Sequence, residues 1–168
     1  KKLDKDRFRK NLGNVMQGNL DQLGPPEFTK DEKVYAKKYQ DTLSRKDIES
    51  AYSHAGIDLV EGEVLAGSVV SGDAEPVDMG GSTDVADVSW VVPTVSLWGA
   101  NYAIGTPFHS WQMTAQGKSS IAIKGMTHAA MVMAATGSDL MTKRHILDDA
   151  WSEHNKTIEK EGYMLPIS

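Results

Sequence analysis

The sequence predicts a helix-rich α/β fold with an incomplete sheet, and three observations support this. From Val92 to Ala100, apolar Val95 and Leu97 alternate with other residues, a pattern typical of a buried strand. The segment from Ile121 to Thr136 is apolar on nearly every side, as expected of a helix packed between a sheet and another layer. An α/β sheet needs several parallel strands, and this chain offers few candidates, so we expect it to form part of a domain.

Length and composition exclude several classes of protein. The 168 residues suit one ordinary domain, and 40% hydrophobic with 24% charged residues is typical of soluble globular proteins. A net charge of -5 offers no basic surface for nucleic acid, and no apolar run approaches the roughly 20 residues that span a bilayer. With no cysteine, disulfides and thiolate chemistry are excluded. We therefore expect a cytoplasmic protein with neither a nucleic-acid nor a membrane partner.

Local signals place three helices in the first third of the chain. Leu3 to Leu23 has apolar residues at three- and four-residue steps, and Gly24 supplies a stop. Thr29–Glu32 has the spacing of a capping box and predicts the start of a second helix. Ser44–Asp47 predicts the start of a third helix, which ends at Gly56.

The remaining elements follow from turn and stop residues. The segment Gly80–Asp84 is expected to form a tight turn into a short helix that ends before Pro93. Residues 101–112 are predicted to be a loop. The apolar helix is expected to end at Gly137, and a final amphipathic helix to begin near Thr142.

Four of the five histidines lie on predicted helices, namely His54, His128, His145 and His154. For His128, inside the apolar helix, we favour a core histidine bonded to a backbone carbonyl over a metal ligand. The spacing of His145 and His154 is poor for sharing one ion, so surface or packing roles are expected. His54 stands near a helix end, where a cation is favourable.

His109 differs because it follows the predicted strand in a loop stiffened by Pro107. Loops beyond the carboxyl ends of sheet strands are where open α/β proteins place ligands and metals. The residues alone leave open whether His109 is a metal ligand or an ordinary loop residue. One histidine does not by itself make a metal site.

The turn Gly81–Asp84 allows two interpretations. The two glycines, Gly80 and Gly81, permit close backbone approach, and the amides at the following helix start could receive an anion such as a substrate carboxylate. A plain helix cap, with Asp84 and Asp87 complementing the helix dipole, is the commoner use of such residues. The turn lacks the Gly-Lys-Ser/Thr ending of a phosphate loop, and the chain has no Gly-x-Ser-x-Gly nucleophile elbow.

Two runs together resemble a known family. They are Gly81–Trp90 (GSTDVADVSW) and Gly105–Trp111 (GTPFHSW), and they are similar to the metal-dependent amidohydrolases of the aminoacylase and carboxypeptidase G group. Gly24–Thr29 and Lys124–Met126 resemble the p-aminobenzoyl-glutamate hydrolase branch of that family. The likeness covers most of the chain.

The resemblance implies a fold, a metal centre and a set of site residues. The fold would be the C-terminal portion of a three-layer αβα, zinc-peptidase-like catalytic domain. His109 would be one ligand of a centre that holds two divalent ions, zinc or manganese, in the complete enzyme. The expected substrate-binding residues are Gly81, Ser82, Thr83, Asp84 and Ser110. Because Thr83 stands where many relatives carry glutamate, no catalytic residue is assigned to this chain.

The chain departs from the family pattern because it has no His-x-Asp ligand pair and no adjacent Glu-Glu pair. The resemblance therefore implies that the missing ligands lie in the N-terminal part of the catalytic domain, outside this chain. Residues 1–24 would lead from a lid domain, and residues 25–168 would form the C-terminal part of the catalytic domain. The expected partners are that missing part with its lid, a small amide substrate and further copies in a homo-oligomer.

The function implied by the resemblance is metal-assisted hydrolysis of an amide bond in an N-acyl amino acid, such as an aminobenzoyl-glutamate, or in a dipeptide. We expect the isolated chain to be inactive. Two alternatives stay open. One is a non-enzymatic helical module that docks on a partner chain. The other is a binding domain for carboxylated small molecules at the Gly81–Asp84 turn.

Overall fold

Seven α-helices form the regular structure of the protein in a computed structural model that describes residues 10–72 and 83–162. The helices are α1 (Lys10–Leu23), α2 (Lys30–Gln40), α3 (Arg45–Ala55), α4 (Val85–Val91), α5 (Trp111–Gln116), α6 (Ser120–Thr142) and α7 (Arg144–Glu161). No strand occurs in these two ranges. Within them, no helix is both long enough and apolar enough to cross a membrane.

The α/β fold class predicted from the sequence is therefore wrong for the described part of the chain. Residues 93–100, most of the predicted strand, form neither helix nor strand. Val95 and Leu97 are only half-buried, and Trp98 is 63% exposed. A strand exists through backbone pairing with a neighbour, whereas alternation of side chains is a property of one segment only. The alternation thus indicated an extended segment without supplying a pairing partner.

The predicted starts of the second and third helices and the predicted stops at Gly24 and Gly56 are confirmed, whereas residues 3–9 of the predicted first helix lie outside the described residues. The Thr29 hydroxyl accepts a hydrogen bond from the Glu32 amide at 3.2 Å, and the Glu32 carboxylate accepts one from the Thr29 amide at 2.7 Å. Ser44 and Asp47 form the same reciprocal pair at the start of α3. α1 ends at Leu23 before Gly24, whose φ of 70° is a left-handed conformation that suits glycine.

Three boundaries in the second half differ from the prediction. α6 continues through Gly137 to Thr142, because one glycine weakens a helix by about 1 kcal/mol and does not break it. α7 accordingly begins at Arg144 instead of near Thr142. α5 begins at Trp111, inside the predicted loop 101–112, because Ser110 caps it. By contrast, α4 ends before Pro93 as expected.

α1, α6 and α7 pack against one another. The buried residues of α6 recur at three- and four-residue steps and therefore share one face; they are Ile121, Gly125, His128, Val132 and Thr136. α1 contributes Leu12 and Met16, and α7 contributes Ala150 and His154. The expectation that α6 is covered on nearly every side is wrong here, because its opposite face is exposed.

A second packing centre joins α2, two connecting segments and the start of α6. Its fully buried members are Ala36, Leu65, Ala103 and Ile121. Phe28, Tyr35, Tyr39 and Val64 pack around them. Because Ala103 belongs to this cluster, the segment that leads to His109 is tied to the core.

Candidate metal and substrate site

Two glutamines fix the backbone that leads to His109. Gln116, which is 1% exposed, accepts a hydrogen bond from the Ala103 amide at 2.8 Å and donates one to the Thr106 hydroxyl at 3.1 Å. Gln40 on α2 donates to the Ile104 carbonyl at 3.3 Å. Buried backbone groups need such partners. The segment 103–106 is therefore held from both α2 and α5.

Gly105 lets this segment lie directly against α3. Its φ is 90°, a conformation that residues other than glycine rarely adopt. A Cβ atom at this position would lie 2.9 Å from Ile48 Cα, closer than carbon atoms approach. The path of the backbone therefore requires Gly105, the first residue of the Gly105–Trp111 run.

His109 is exposed at the end of this anchored segment. Its φ is 58°, which makes it the one residue other than glycine with a positive φ among those described. Such a conformation costs free energy and persists only where the surroundings enforce it. The structure therefore leaves the imidazole accessible on a fixed backbone. Its role as a metal ligand stays a prediction.

Ser110 has a structural role that the prediction of a substrate contact did not include. Its hydroxyl donates to the Pro107 carbonyl at 2.7 Å and accepts from the Met113 amide at 3.2 Å, so it is the N-cap of α5. Capping satisfies an amide that the helix leaves free. Because its proton is donated to Pro107, this hydroxyl could only accept a hydrogen bond from a substrate, and the substrate contact stays a prediction.

The predicted substrate-binding turn is described only in part. Gly81 and Ser82 lie outside the described residues. Thr83 is exposed, and its hydroxyl accepts a hydrogen bond from the Val85 amide at 3.3 Å. Asp84 is exposed at the start of α4 and makes no capping hydrogen bond with its side chain. These two residues lie on a different element from His109, and their substrate role stays a prediction.

The metal-binding side chains of the described residues do not suffice for an ion. No group of three or more His, Cys, Asp or Glu side chains comes together in residues 10–72 and 83–162. A structural or catalytic zinc site uses at least three protein ligands. Among these residues the donor set therefore does not fit a two-ion centre, and an ion at His109 would need ligands from outside them.

The other histidines have structural roles or are exposed. His128 is buried on α6, and its Nε2 lies 2.6 Å from the Gly24 carbonyl oxygen, which confirms the predicted core histidine. His154 is buried on α7 against the Trp151 ring, with centroids 5.4 Å apart. His145 is exposed, as is His54 in the last turn of α3.

Aromatic side chains surround the His109 loop, and the sequence interpretation gave them no role. The Phe108 ring lies 5.8 Å from Trp98 and 6.3 Å, edge-on, from Tyr102, as measured between centroids. Phe108 is 49% exposed, while burial raises the pKa of the Tyr102 phenol. The aromatic residues on both sides of His109 in the sequence were the signal from which this cluster could have been predicted.

A shallow cleft of about 330 Å³ lies beside this loop. It is lined by Tyr35, Lys38, Tyr39, Thr42 and Trp111. The two tyrosine hydroxyls share a hydrogen bond at 3.1 Å, which raises the pKa of Tyr35. Trp111 packs on Tyr39 with centroids 6.2 Å apart and is itself 62% exposed.

Comparisons with known proteins agree with the resemblance. No protein-family model matches the chain, and no solved structure matches it. The chain is 35% identical to the B subunit of p-aminobenzoyl-glutamate hydrolase from Escherichia coli (strain K12), over 93% of its own length. It spans only 34% of the length of that relative. Over nearly all of its length, the chain is therefore a distant homologue of about one third (34%) of a p-aminobenzoyl-glutamate hydrolase polypeptide.

Proposed function

We propose that this chain contributes one metal ligand, His109, to an amidohydrolase that is complete only when further polypeptide is present. The reaction is hydrolysis of an amide bond in an N-acyl amino acid such as aminobenzoyl-glutamate, or in a dipeptide. When bound, zinc or manganese would supply Lewis-acid activation of water and of the scissile carbonyl. The Gly81–Asp84 turn would line the substrate site. The working protein would be a cytoplasmic homo-oligomer.

The observation that carries this proposal is the homology across 93% of the chain. Two features of the His109 loop are consistent with it. The backbone before His109 is anchored by buried glutamines, and its side chain is exposed. A metal ligand must be both fixed and accessible to the ion.

An activity assay on the isolated chain tests the need for further polypeptide. With zinc or manganese added, we expect no measurable release of aminobenzoate from aminobenzoyl-glutamate, because one histidine does not hold two ions. Robust turnover by these 168 residues alone would contradict the proposal.

A pair of histidine variants in the complete protein tests the ligand itself. We expect His109→Ala to reduce bound zinc, measured by atomic absorption after dialysis, by tenfold or more and to abolish hydrolysis. His145→Ala removes an exposed histidine from α7 and should leave both unchanged. Equal zinc content in the His109 variant and the unmodified protein would refute the role of His109.

The competing function is a non-enzymatic module that docks on another chain. The exposed apolar face of α6 favours this candidate. It predicts that His109→Ala changes neither metal content nor activity of the assembly. The third candidate, binding of carboxylated small molecules at the Gly81–Asp84 turn, predicts heat release on titration with glutamate derivatives by calorimetry.

A further inference from the structure

The shallow cleft between α2 and the start of α5 has walls that the fold holds in place. Four of its five lining residues recur at three- and four-residue steps and therefore share one side of α2 and of the turn after it; they are Tyr35, Lys38, Tyr39 and Thr42. The fifth is Trp111, the first residue of α5. The Gln112 amide donates a hydrogen bond to the Thr42 hydroxyl at 3.3 Å and so joins α5 to the end of α2. The shape of the cleft is therefore set by contacts within the chain.

The cleft contains two hydrogen-bond donors that are available to a ligand. Lys38 forms no ion pair within the part of the chain that the structure describes, whereas its neighbour Lys37 pairs with Asp41. The hydroxyl oxygens of Tyr35 and Tyr39 lie 3.1 Å apart, and the hydrogen bond between them uses only one of their two protons. The second hydroxyl proton can therefore be donated to an acceptor in the cleft. An ammonium and a free hydroxyl proton together favour an anionic acceptor.

Most of the remaining lining of the cleft is aromatic. The Trp111 side chain is 62% exposed, and its ring is tilted by 49° against the ring of Tyr39. Because the two rings are not stacked face to face, each leaves ring surface that the other does not cover. Such surface provides a large apolar contact area, and it adds a favourable interaction with another ring in an offset or edge-on arrangement. The cleft thus combines apolar ring surface with two donors.

Size and charge define the class of ligand. The volume of about 330 Å³ is at the lower end of the range for small-molecule sites and suits a molecule of about one ring. The single cation in the lining, Lys38, is matched by one negative charge on that molecule. Apolar sites for small molecules typically use a few polar groups in this way to fix the orientation of the ligand.

We propose that this cleft binds a small monoanion whose charged group is attached to one apolar ring, aromatic or saturated. The anionic group accepts hydrogen bonds from Lys38 and from the free tyrosine hydroxyl, and the ring lies against Trp111. Binding uses the lining residues alone. It needs neither a metal ion nor His109, so it goes beyond the proposed function and does not depend on it.

An NMR titration of the 168-residue chain with benzoate, in the absence of metal, tests the proposal. We expect the indole N–H signal of Trp111 and the backbone amide signal of Thr42 to shift saturably. The dissociation constant should be on the order of 1 mM, a value within reach of a ligand this small. Cyclohexanecarboxylate, which has a saturated ring, should bind at the same signals, and the ratio of the two constants shows which ring the cleft prefers. Benzamide has the same ring as benzoate without the charge and should bind at least fivefold more weakly.

Two pairs of variants test the lining residues. Lys38→Met should weaken benzoate binding at least fivefold because it removes the positive charge, and Lys33→Met is its control, since Lys33 is also exposed on α2 but does not line the cleft. Trp111→Ala should weaken binding at least fivefold. Trp98→Ala removes an indole that is 63% exposed outside the cleft and should leave binding unchanged. The Thr42 amide signal reports on all four variants, and circular dichroism checks that each one folds.

Signals that do not shift, or that shift without saturation, would overturn the proposal. It would also be overturned if benzamide bound as tightly as benzoate, or if Lys33→Met weakened binding as much as Lys38→Met. Zinc content and hydrolysis are not measured in this titration. Failure of the proposed function therefore leaves the cleft proposal standing, and loss of benzoate binding leaves the proposed function standing.

Discussion

The Lys124 ammonium donates a hydrogen bond to the Glu32 carboxylate at 2.7 Å and joins α6 to α2 across 92 positions of the sequence. The same carboxylate accepts the Thr29 amide of the capping box. Lys124 also donates to the Glu27 carbonyl at 3.0 Å. A local helix cap is thereby extended into a tertiary contact that fixes the first turn of α6 against the start of α2.

This contact makes stability depend on pH at the acid end. The hydrogen bond from Lys124 is the largest cause that lowers the pKa of Glu32 from 4.5 to about 2, and the Ser120 hydroxyl adds to it. Because the pKa is lower in the folded state, the stabilisation is complete above pH 4.5 and is lost as pH falls toward 2. Urea denaturation followed by circular dichroism should show this decline, and Glu32→Gln should flatten it.

At neutral pH, Glu32→Gln should lower the free energy of unfolding by about 1–3 kcal/mol, because it weakens the contact with Lys124 and the cap. Asp148→Asn is the control, since the Arg144–Asp148 pair is 81% and 58% exposed and such pairs contribute ~0–1 kcal/mol. Equal losses in the two variants would contradict the importance of the Glu32 contact.

Two glycines of α6 should respond in opposite directions to alanine. A Cβ at Gly125 would lie 2.5 Å from the Ala100 carbonyl oxygen, so Gly125→Ala should destabilise the protein by about 1–3 kcal/mol. Gly137 has no atom within 4 Å of the added Cβ, so Gly137→Ala should stabilise by about 0.4–1 kcal/mol. Thermal unfolding measures both. A neutral Gly125→Ala would show that α6 is not closely packed on residues 100–101.

His128→Leu separates a core histidine from a ligand. The change removes the hydrogen bond to the Gly24 carbonyl and should lower the free energy of unfolding by about 1–3 kcal/mol. Zinc content of the complete protein should not change. Loss of zinc together with retained stability would assign His128 to a metal site instead.

Gln116→Met tests whether the segment before His109 is held by its buried amide. The variant leaves the Ala103 amide without its partner and should cost about 1–3 kcal/mol of stability. NMR signals of the His109 imidazole should shift or broaden. A lower free energy of unfolding alone would leave these signals of the folded protein unchanged. Gln112→Met removes the weaker 3.3 Å contact with Thr42 and should leave those signals in place.

The features that the sequence predicted correctly are those set by a few neighbouring residues. The Ser44–Asp47 capping box and the stop at Gly24 depend on contacts within one helical turn. For His128 on α6, the sequence predicted a hydrogen bond to a backbone carbonyl, because a polar ring inside an apolar helix needs a hydrogen-bond partner. The identity of that partner, 104 positions away, could not be read from spacing.

The sequence by itself determined the local helix signals and, through its motifs, the relationship to an amidohydrolase polypeptide. The tertiary structure alone decided that Val92–Ala100 pairs with no strand, that α6 buries one face only, and that Gln40 and Gln116 anchor the His109 loop. The physical reason is how far apart along the sequence the contacting residues lie. Caps and turns close over three or four residues, whereas sheet pairing, helix burial and buried amide contacts join residues that only the folded chain brings together.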